Sequence, residues 1–403
     1  MSDRRLLTRI VLRNYKSIGA CDVRPAQLSF LVGPNGSGKS NFLDALRFTA
    51  ESLGYSMDHA LRDRGGIGEV RRRSGGHPTH FGIRLEFTLE EWTGFYSFTV
   101  GAMKRGGYEI QREECLVAPR NGLGEHRYKV ERGSVIESTI AHPPVAAADR
   151  LYLVTVSGLE PFRAVYESLT TTGFYNLNPE AIRDLQPPDP GKLLERDGYN
   201  IASVLHNLSE NAPDFKRRIE DYLGQVVPGI TGVERRSIGP RETLAFRQKV
   251  RGARYPWQFL AGNMSDGTLR ALGVLVVLFQ SYAQDDRRRW LVGIEEPEIA
   301  LHPAAAGVLV DSLRDAAEHT QILVTSHSPE LLDNPDISAD QIIAVTAESG
   351  ETRIGPLDES GRSALRDRLY TAGELLRMNQ LDPDPSLSRP GTRQMDLFGP
   401  VAE

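Results

Sequence analysis

Leu28-Ser29-Phe30-Leu31-Val32-Gly33-Pro34-Asn35-Gly36-Ser37-Gly38-Lys39-Ser40 is an apolar run that empties into a glycine-rich turn ending in Lys-Ser, with helix-forming residues from Asn41 to Thr49 behind it. A strand, a turn of this spelling and a helix, in that order, make a phosphate loop. Gly33, Gly36 and Gly38 let the backbone curl with its N–H groups inward, and a side chain at those positions is expected to block the phosphates. Lys39 sets a cation near the β and γ phosphates, and Ser40 offers a hydroxyl to Mg²⁺. Asn35, Gly36, Ser37, Gly38, Lys39 and Ser40 are therefore the expected contacts of a nucleoside triphosphate, ATP with Mg²⁺.

The 403 residues are enough for two or three average domains, or for one large α/β unit with an insertion. A hydrophobic content of 40% and a charged content of 25% are ordinary for a globular protein, and no apolar run is long enough to cross a bilayer. Arg4 and Arg5 lead straight into strand-like Leu6 to Leu12 rather than into a leader core, so a cytoplasmic location is expected. Cys21 and Cys115 lack metal-ligand spacing and read as buried, inert thiols. The formal charge of -5 argues against a uniformly basic surface but leaves room for a local basic patch.

Alternation through Ile10, Leu12 and Tyr15 predicts a first strand, and a turn is expected near Ala20 to Pro25. Period-two runs at Ile83-Leu85-Phe87, Phe95 to Val100 and Tyr108 to Val117, divided by turns such as Lys104-Arg105-Gly106-Gly107, predict an antiparallel meander from Phe81 to Val130. Between Pro161 and Gly224 the period lengthens, with Ile201-Val204-Leu205-Leu208 and Phe215-Ile219-Tyr222-Leu223 on helical faces, which predicts a helical insertion. A helix from Asp266 to Ala283, a strand from Trp290 to Ile294, a helix from Ala304 to Glu318 and a strand from Gln321 to Thr325 form an αβαβ succession and hence a parallel sheet. The expected division is residues 1–160 as a first lobe with the phosphate loop and meander, 161–227 as the helical insertion, 228–358 as a second lobe, 359–380 as terminal helices and 381–403 as a disordered tail.

Leu291-Val292-Gly293-Ile294 ends in Glu295-Glu296-Pro297-Glu298, a buried strand that delivers acids to its tip. Glu295 is placed to hold a metal with Ser40, and Glu296 to polarise water as a general base. Carboxylates at a helix start are also ordinary on their own. Ser265-Asp266-Gly267 opens the helix after Met264, so Ser265 or Asp266 reads equally as a helix cap and as a γ-phosphate contact through free N–H groups and a hydroxyl. His327, in Ser326-His327-Ser328-Pro329 at the end of the following strand, is placed to touch the γ-phosphate or the attacking water.

The series 33–40, Ser265-Asp266-Gly267-Thr268, Glu295-Glu296-Pro297-Glu298 with Leu301-His302-Pro303, and Thr325-Ser326-His327-Ser328 resembles the ABC-type ATPases of the RecF/SMC/OLD branch, and Ile10 to Ser17 looks like their opening strand. That resemblance implies an α/β P-loop NTPase with an ABC-type head, in which a mixed sheet is joined by an antiparallel β meander. It implies ATP hydrolysis, and a nucleotide sandwich in which the Ser265 loop of one copy closes on the triphosphate held by the Lys39 loop of another. One set of motifs then requires a homodimer or higher oligomer. Most relatives place Asp where this chain has Glu295, and after Ile354 no stretch is long enough for the nuclease module of OLD proteins. The implied role is a switch in DNA repair or in defence against foreign DNA, with a separately encoded effector. The rival is a nucleotide-gated scaffold of little turnover that holds a toxin or nuclease inactive.

Two basic runs, Arg62-Arg64-Arg71-Arg72-Arg73 and Arg287-Arg288-Arg289, read either as solvated faces or as phosphate contacts for duplex DNA. Gln394-Met395-Asp396-Leu397-Phe398 looks like the bacterial sliding-clamp binding peptide, with Gln394, Leu397 and Phe398 as anchors. The other reading folds Leu397 and Phe398 back onto the chain's own surface.

Overall fold

The computed structural model describes residues 6–74, 78–280, 290–386 and 397–399. The chain forms two compact units, Met1–Thr172 with Ile337–Tyr370 and Leu375–Glu403, and Gly173–Asp336 with Thr371–Glu374. In chain order the first unit begins with β1 (Leu7–Tyr15), β2 (Ile18–Val23), β3 (Leu28–Val32), α1 (Lys39–Gly54), α2 (Met57–Arg62) and α3 (Ile67–Val70). The meander follows as β4 (His80–Thr88), β5 (Trp92–Ala102), β6 (Tyr108–Pro119), β7 (His126–Glu131) and β8 (Ser134–Ser138), then α4 (Tyr152–Val156) and α5 (Phe162–Thr170). The second unit holds β9 (Gly173–Tyr175), α6 (Pro179–Arg183), α7 (Ile201–Asn211), α8 (Pro213–Val226), β10 (Ile230–Ile238), β11 (Arg241–Gln248), β12 (Trp257–Leu260), α9 (Asp266–Phe279), β13 (Leu291–Glu295), α10 (Ala306–Ala317), β14 (Gln321–Ser326) and α11 (Pro329–Leu332). The remainder is β15 (Ile342–Glu348), β16 (Glu351–Pro356), α12 (Glu359–Arg366) and α13 (Ala372–Arg377).

Within the first unit the strand order is β8-β7-β6-β5-β4-β1-β2-β16-β15-β3. The meander and β1 pair antiparallel, whereas β15 runs parallel to β3 and β16 parallel to β2, so the sheet is mixed. All five residues of β3 are buried, as expected of a strand covered on both faces. Tyr15, Phe48 and Phe81 meet edge to face with ring centroids 5.4 to 6.0 Å apart, which packs α1 against β1 and β4. The second unit holds the parallel order β14-β13-β9 and a separate antiparallel sheet, β10-β11-β12.

Several expectations are corrected. The turn placed near Ala20 to Pro25 is mostly strand β2, because Cys21 and Val23 alternate into the core and the reversal occurs at Lys16-Ser17. Residues 161–227 divide between the two units, with α5 in one and α6 to α8 in the other. They also contain the short strand β9, whose Gly173, Phe174 and Tyr175 pair with Val292, Gly293 and Ile294. The tail expected to be disordered is ordered where it is described: Leu357 bridges Pro383, and Leu397 is buried with its side chain over Gly82. Arg84 Nη1 donates to the carbonyls of Leu397 and Gly399 at 3.3 and 3.1 Å, and Arg112 lies 4.1 Å over the Phe398 ring. Leu397 and Phe398 thus lie on the chain's own sheet, while Gln394 falls outside the described residues.

The first basic run is also largely spent inside the fold. Asp44, one turn past Ser40 on α1, accepts from Tyr15 Oη at 2.8 Å and pairs with Lys16, Arg47 and Arg64 at 2.5, 2.8 and 2.8 Å. Burial pushes the Asp44 carboxyl up, but Arg64 and Lys16 outweigh it and hold the group well below the usual carboxylate range. The Arg64 side chain is only 3% exposed. Arg72 pairs with Glu351 at 2.8 Å and Arg71 donates to the Pro78 carbonyl at 2.7 Å, which leaves Arg62 and Arg73 exposed with Asp58 and Glu69 beside them. Arg287, Arg288 and Arg289 lie outside the described residues. Cys21 and Cys115 are buried and unpaired, and burial pushes the Cys21 thiol up to about 12. Among the described residues no helix is long and apolar enough to cross a membrane.

Candidate functional site

In the first unit β3 delivers the loop 33–40 to the start of α1. The backbone of β15, in parallel register with β3, passes so close to Gly33 that a Cβ there would lie 1.9 Å from the Val345 carbonyl oxygen. Gly38 has φ 106° and caps α1 in the left-handed region; a Cβ on it would lie 2.2 Å from Thr352 Oγ1. These two glycines are thus demanded by the chain's own packing, which amends the expectation that all three keep space for phosphates. A Cβ on Gly36 would meet nothing within 4 Å.

Lys39 is 5% exposed and donates from Nζ to the carbonyls of Gly33 and Pro34 at 2.8 and 3.0 Å, which holds its ammonium at the rim of the loop. Asn35 and Ser40 are exposed. Two observations fit an anion at this place. No side chain caps the first turn of α1, the end of a helix at which anions are favoured, and Ser37 Oγ is buried without a hydrogen-bond partner.

The loop is held from below by a relay absent from the expected site. Thr352 Oγ1, on β16, donates to the Ser37 carbonyl at 2.8 Å. Its single proton being used, it accepts from Ser17 Oγ at 2.7 Å, and Ser17 in turn accepts from Asn41 Nδ2 at 2.7 Å. Thr352→Val, which keeps the shape and removes the donor, is expected to weaken binding of a fluorescent ATP analogue about tenfold, while Thr352→Ser restores it. If Thr352 were only a packing residue, the valine variant would lower the melting temperature of the nucleotide-free protein and leave the dissociation constant unchanged.

In the second unit β13 runs between β14 and β9 with Leu291 to Ile294 buried, and the acids emerge at its end. Glu296 has φ 44°, a left-handed conformation uncommon for a residue with a side chain. Its N–H donates to the Thr325 carbonyl and Thr325 Oγ1 at 3.0 and 3.1 Å, which pins the turn to the end of β14. The carboxylate is thereby aimed at His327, with Glu296 Oε1 and His327 Nδ1 3.0 Å apart. Glu298 fixes the histidine backbone: its Oε1 accepts from Ser326 Oγ at 2.6 Å and from His327 N–H at 3.2 Å. Burial pushes the Glu298 carboxyl above its ordinary value.

Arg270, 6% exposed on α9, donates to the carbonyls of Leu177, Glu295 and Glu296 at 2.8, 3.2 and 3.0 Å and so braces the strand end. Glu295, expected at the metal, pairs with Arg196 at 3.0 Å. Ser265 takes the cap position of α9, accepting from the Thr268 N–H at 3.3 Å, and Asp266 pairs with Arg183. Gly267 sits where a Cβ would lie 2.3 Å from the Ala300 carbonyl oxygen, so the Ser265 turn packs directly on the loop that follows the acids. The second unit thus holds two braced groups, Glu295, Glu296 and His327 with Arg196, Arg270 and Glu298, and Ser265, Asp266 and Gly267 with Arg183. None of the three arginines stood out in sequence, since an isolated Arg carries no signal of what it reaches, whereas Glu298 stood in the acidic series without a role.

A family model described as "AAA domain, putative AbiEii toxin, Type IV TA system" matches residues 28–95 and 181–333, more than half of the chain. The chain is 26% identical over 224 residues to the chromosome partition protein Smc of Methanocaldococcus jannaschii, covering 54% of this chain and 19% of that protein. It is 46% identical over 41 residues to the DNA replication and repair protein RecF of Vibrio cholerae, covering 10% of this chain and 11% of that one. Among solved structures it resembles an Smc head bound to the C-winged helix domain of ScpA, with a TM-score of 0.55 and 12% identity over 88% of this chain and 99% of that one. It resembles likewise an Smc head with an extended coiled coil bound to the C-terminal domain of ScpA from Pyrococcus furiosus, with a TM-score of 0.55 and 11% identity over 90% and 99% of the two chains.

Proposed function

Since the chain belongs to this AAA-domain family and has the fold of the ABC-type ATPase heads of the RecF/SMC branch, we propose that it binds ATP with Mg²⁺, hydrolyses it slowly, and uses the nucleotide to drive its own dimerisation. The observation that carries the reading is the Glu296 and His327 pair, an acid and an imidazole 3.0 Å apart on adjoining strand ends. Lys39 and the N–H groups of the loop bind phosphate oxygens, and Ser40 with Glu295 would hold Mg²⁺, whose chemistry is to neutralise charge on those oxygens. Glu296 accepts the proton of the attacking water, and His327 orients it. Ser265, Asp266 and Gly267 close on the nucleotide of a second copy.

The biological reading is a switch in DNA repair or in defence against foreign DNA, acting with a separate effector. The chain spans a fifth or less of the Smc and RecF relatives, so their roles in chromosome partition and in replication and repair come to it only as part of this proposal. Leu397 and Phe398 are taken up by the chain's own sheet, which argues against clamp binding through Gln394, Leu397 and Phe398. One observation favours the alternative of a nucleotide-gated scaffold: the ion pair with Arg196 occupies the carboxylate that Mg²⁺ would need.

Size-exclusion chromatography with light scattering tests the switch. The Glu296→Gln protein is expected to double in mass with ATP and to remain a monomer without it, and Lys39→Ala is expected to show no change. One unchanged mass under every condition would sink the dimerisation reading.

A further inference from the structure

The sheet β10-β11-β12 carries a charge opposite to that of the chain as a whole. Residues 230–260 hold seven Lys and Arg against two Glu, in a chain of formal net charge -5. Three of the cations are engaged: Arg235 pairs with Glu242 at 2.7 Å, Arg236 donates to Gln258 Oε1 at 3.0 Å, and Arg241 donates to the Leu185 carbonyl at 3.0 Å. Arg247, Lys249, Arg251 and Arg254 are exposed and have no acidic partner among the described residues. Beside them Tyr255 is 69% and Trp257 is 57% exposed, although rings of this size are normally mostly covered. Arg254 lies 5.3 Å from the Tyr255 centroid, and Trp257 leans on Phe259 at 6.4 Å. Among the described residues β12 pairs only with β11 and is the open edge of its sheet; Trp257 begins it, Lys249, Arg251, Arg254 and Tyr255 lie in the loop that leads into it, and Arg247 stands on the middle strand, on the face opposite Trp257.

We propose that β12 and the loop 249–256 bind single-stranded nucleic acid, with phosphates on Lys249, Arg251 and Arg254 and bases stacked on Tyr255 and Trp257. Cations spaced along a loop can follow a sugar-phosphate backbone, and each exposed ring offers a platform that any base can use. An acidic peptide would engage the cations and leave both rings idle. A duplex keeps its bases stacked on each other and away from the rings. Within the reading proposed above, this names the nucleic-acid surface, but it needs no nucleotide, so its failure and the failure of ATP-driven dimerisation are distinguishable.

The test uses the full chain without ATP, by fluorescence anisotropy with a labelled oligothymidine of about 20 nucleotides, longer than one binding site of this kind. Saturable binding at low salt is expected, with Tyr255→Ala/Trp257→Ala weakening it about tenfold while heparin binding stays unchanged. Arg251→Ala/Arg254→Ala is expected to flatten the slope of log K against log salt by about 1.4, two single-strand phosphate contacts. All four side chains are exposed, and thermal melting checks that the variants remain folded. Absence of saturable binding, tighter binding to a duplex of equal length, or an aromatic variant that binds the strand like the parent would each overturn the proposal.

Discussion

Glu296→Gln should lower steady-state ATP hydrolysis by at least about 100-fold, a loss of about 2.7 kcal/mol of transition-state stabilisation, and leave the dissociation constant for ATP within a factor of about three. Glutamine has nearly the shape of glutamate and can still meet His327 Nδ1, but it cannot take a proton from water. The backbone should survive the change, because the left-handed turn at Glu296 is held by its own N–H on Thr325 and by Arg270 on its carbonyl, neither of which involves the carboxylate. The companion variant is His327→Ala. If acid and imidazole act as a unit, the double variant is no slower than Glu296→Gln alone, since removing either member already removes the joint effect. A coupled assay of phosphate release on the parent, the two single variants and the double variant reads this directly. Were the chain a scaffold of little turnover, the parent would already sit at the level of Glu296→Gln.

The parts of this protein that could be read in sequence are those whose signal is local. β3 and β14 are buried throughout and β13 is buried as far as Ile294, each with an apolar centre, so order along the chain was enough to place Lys39, Glu296 and His327 beyond their ends. The meander showed itself through turns and periodicity. What was missed depends on partners far away in sequence. Thr352 stands 315 positions from the Ser37 carbonyl it holds, and its own neighbours in the hairpin β15 and β16 say nothing of a phosphate loop. β9 is three residues long and is a strand only because β13 lies beside it. The basic run depends on distant partners too: charge alone does not tell a solvated Arg62 from an Arg64 drawn inside by Asp44 and Glu51. In residues 230–260 the excess of charge was legible, but which cations were already matched was not, because Glu242 reaches Arg235 and Gln258 reaches Arg236 only once the three strands are paired.

Lys39→Ala should weaken ATP binding by about 10- to 100-fold, the range of roughly 1.5–3 kcal/mol that a hydrogen bond to a charged group contributes, and should abolish any change of mass with ATP. The ammonium lies 2.8 and 3.0 Å from the carbonyls of Gly33 and Pro34, so it also serves as a strut of the loop. The two roles separate by measurement. Loss of a strut alone lowers the melting temperature of the nucleotide-free protein, whereas loss of a phosphate contact raises the dissociation constant of a fluorescent ATP analogue and removes the thermal stabilisation that saturating ATP confers. Lys39→Arg sharpens the distinction, because it keeps the positive charge while replacing a compact ammonium with a planar guanidinium in a socket that leaves only 5% of the residue exposed. Binding should therefore stay weak in Lys39→Arg as well. An unchanged dissociation constant in Lys39→Ala would mean that the ammonium does no more than tie Gly33 and Pro34 together, and the loop would then have to hold phosphate through its N–H groups and the start of α1 alone.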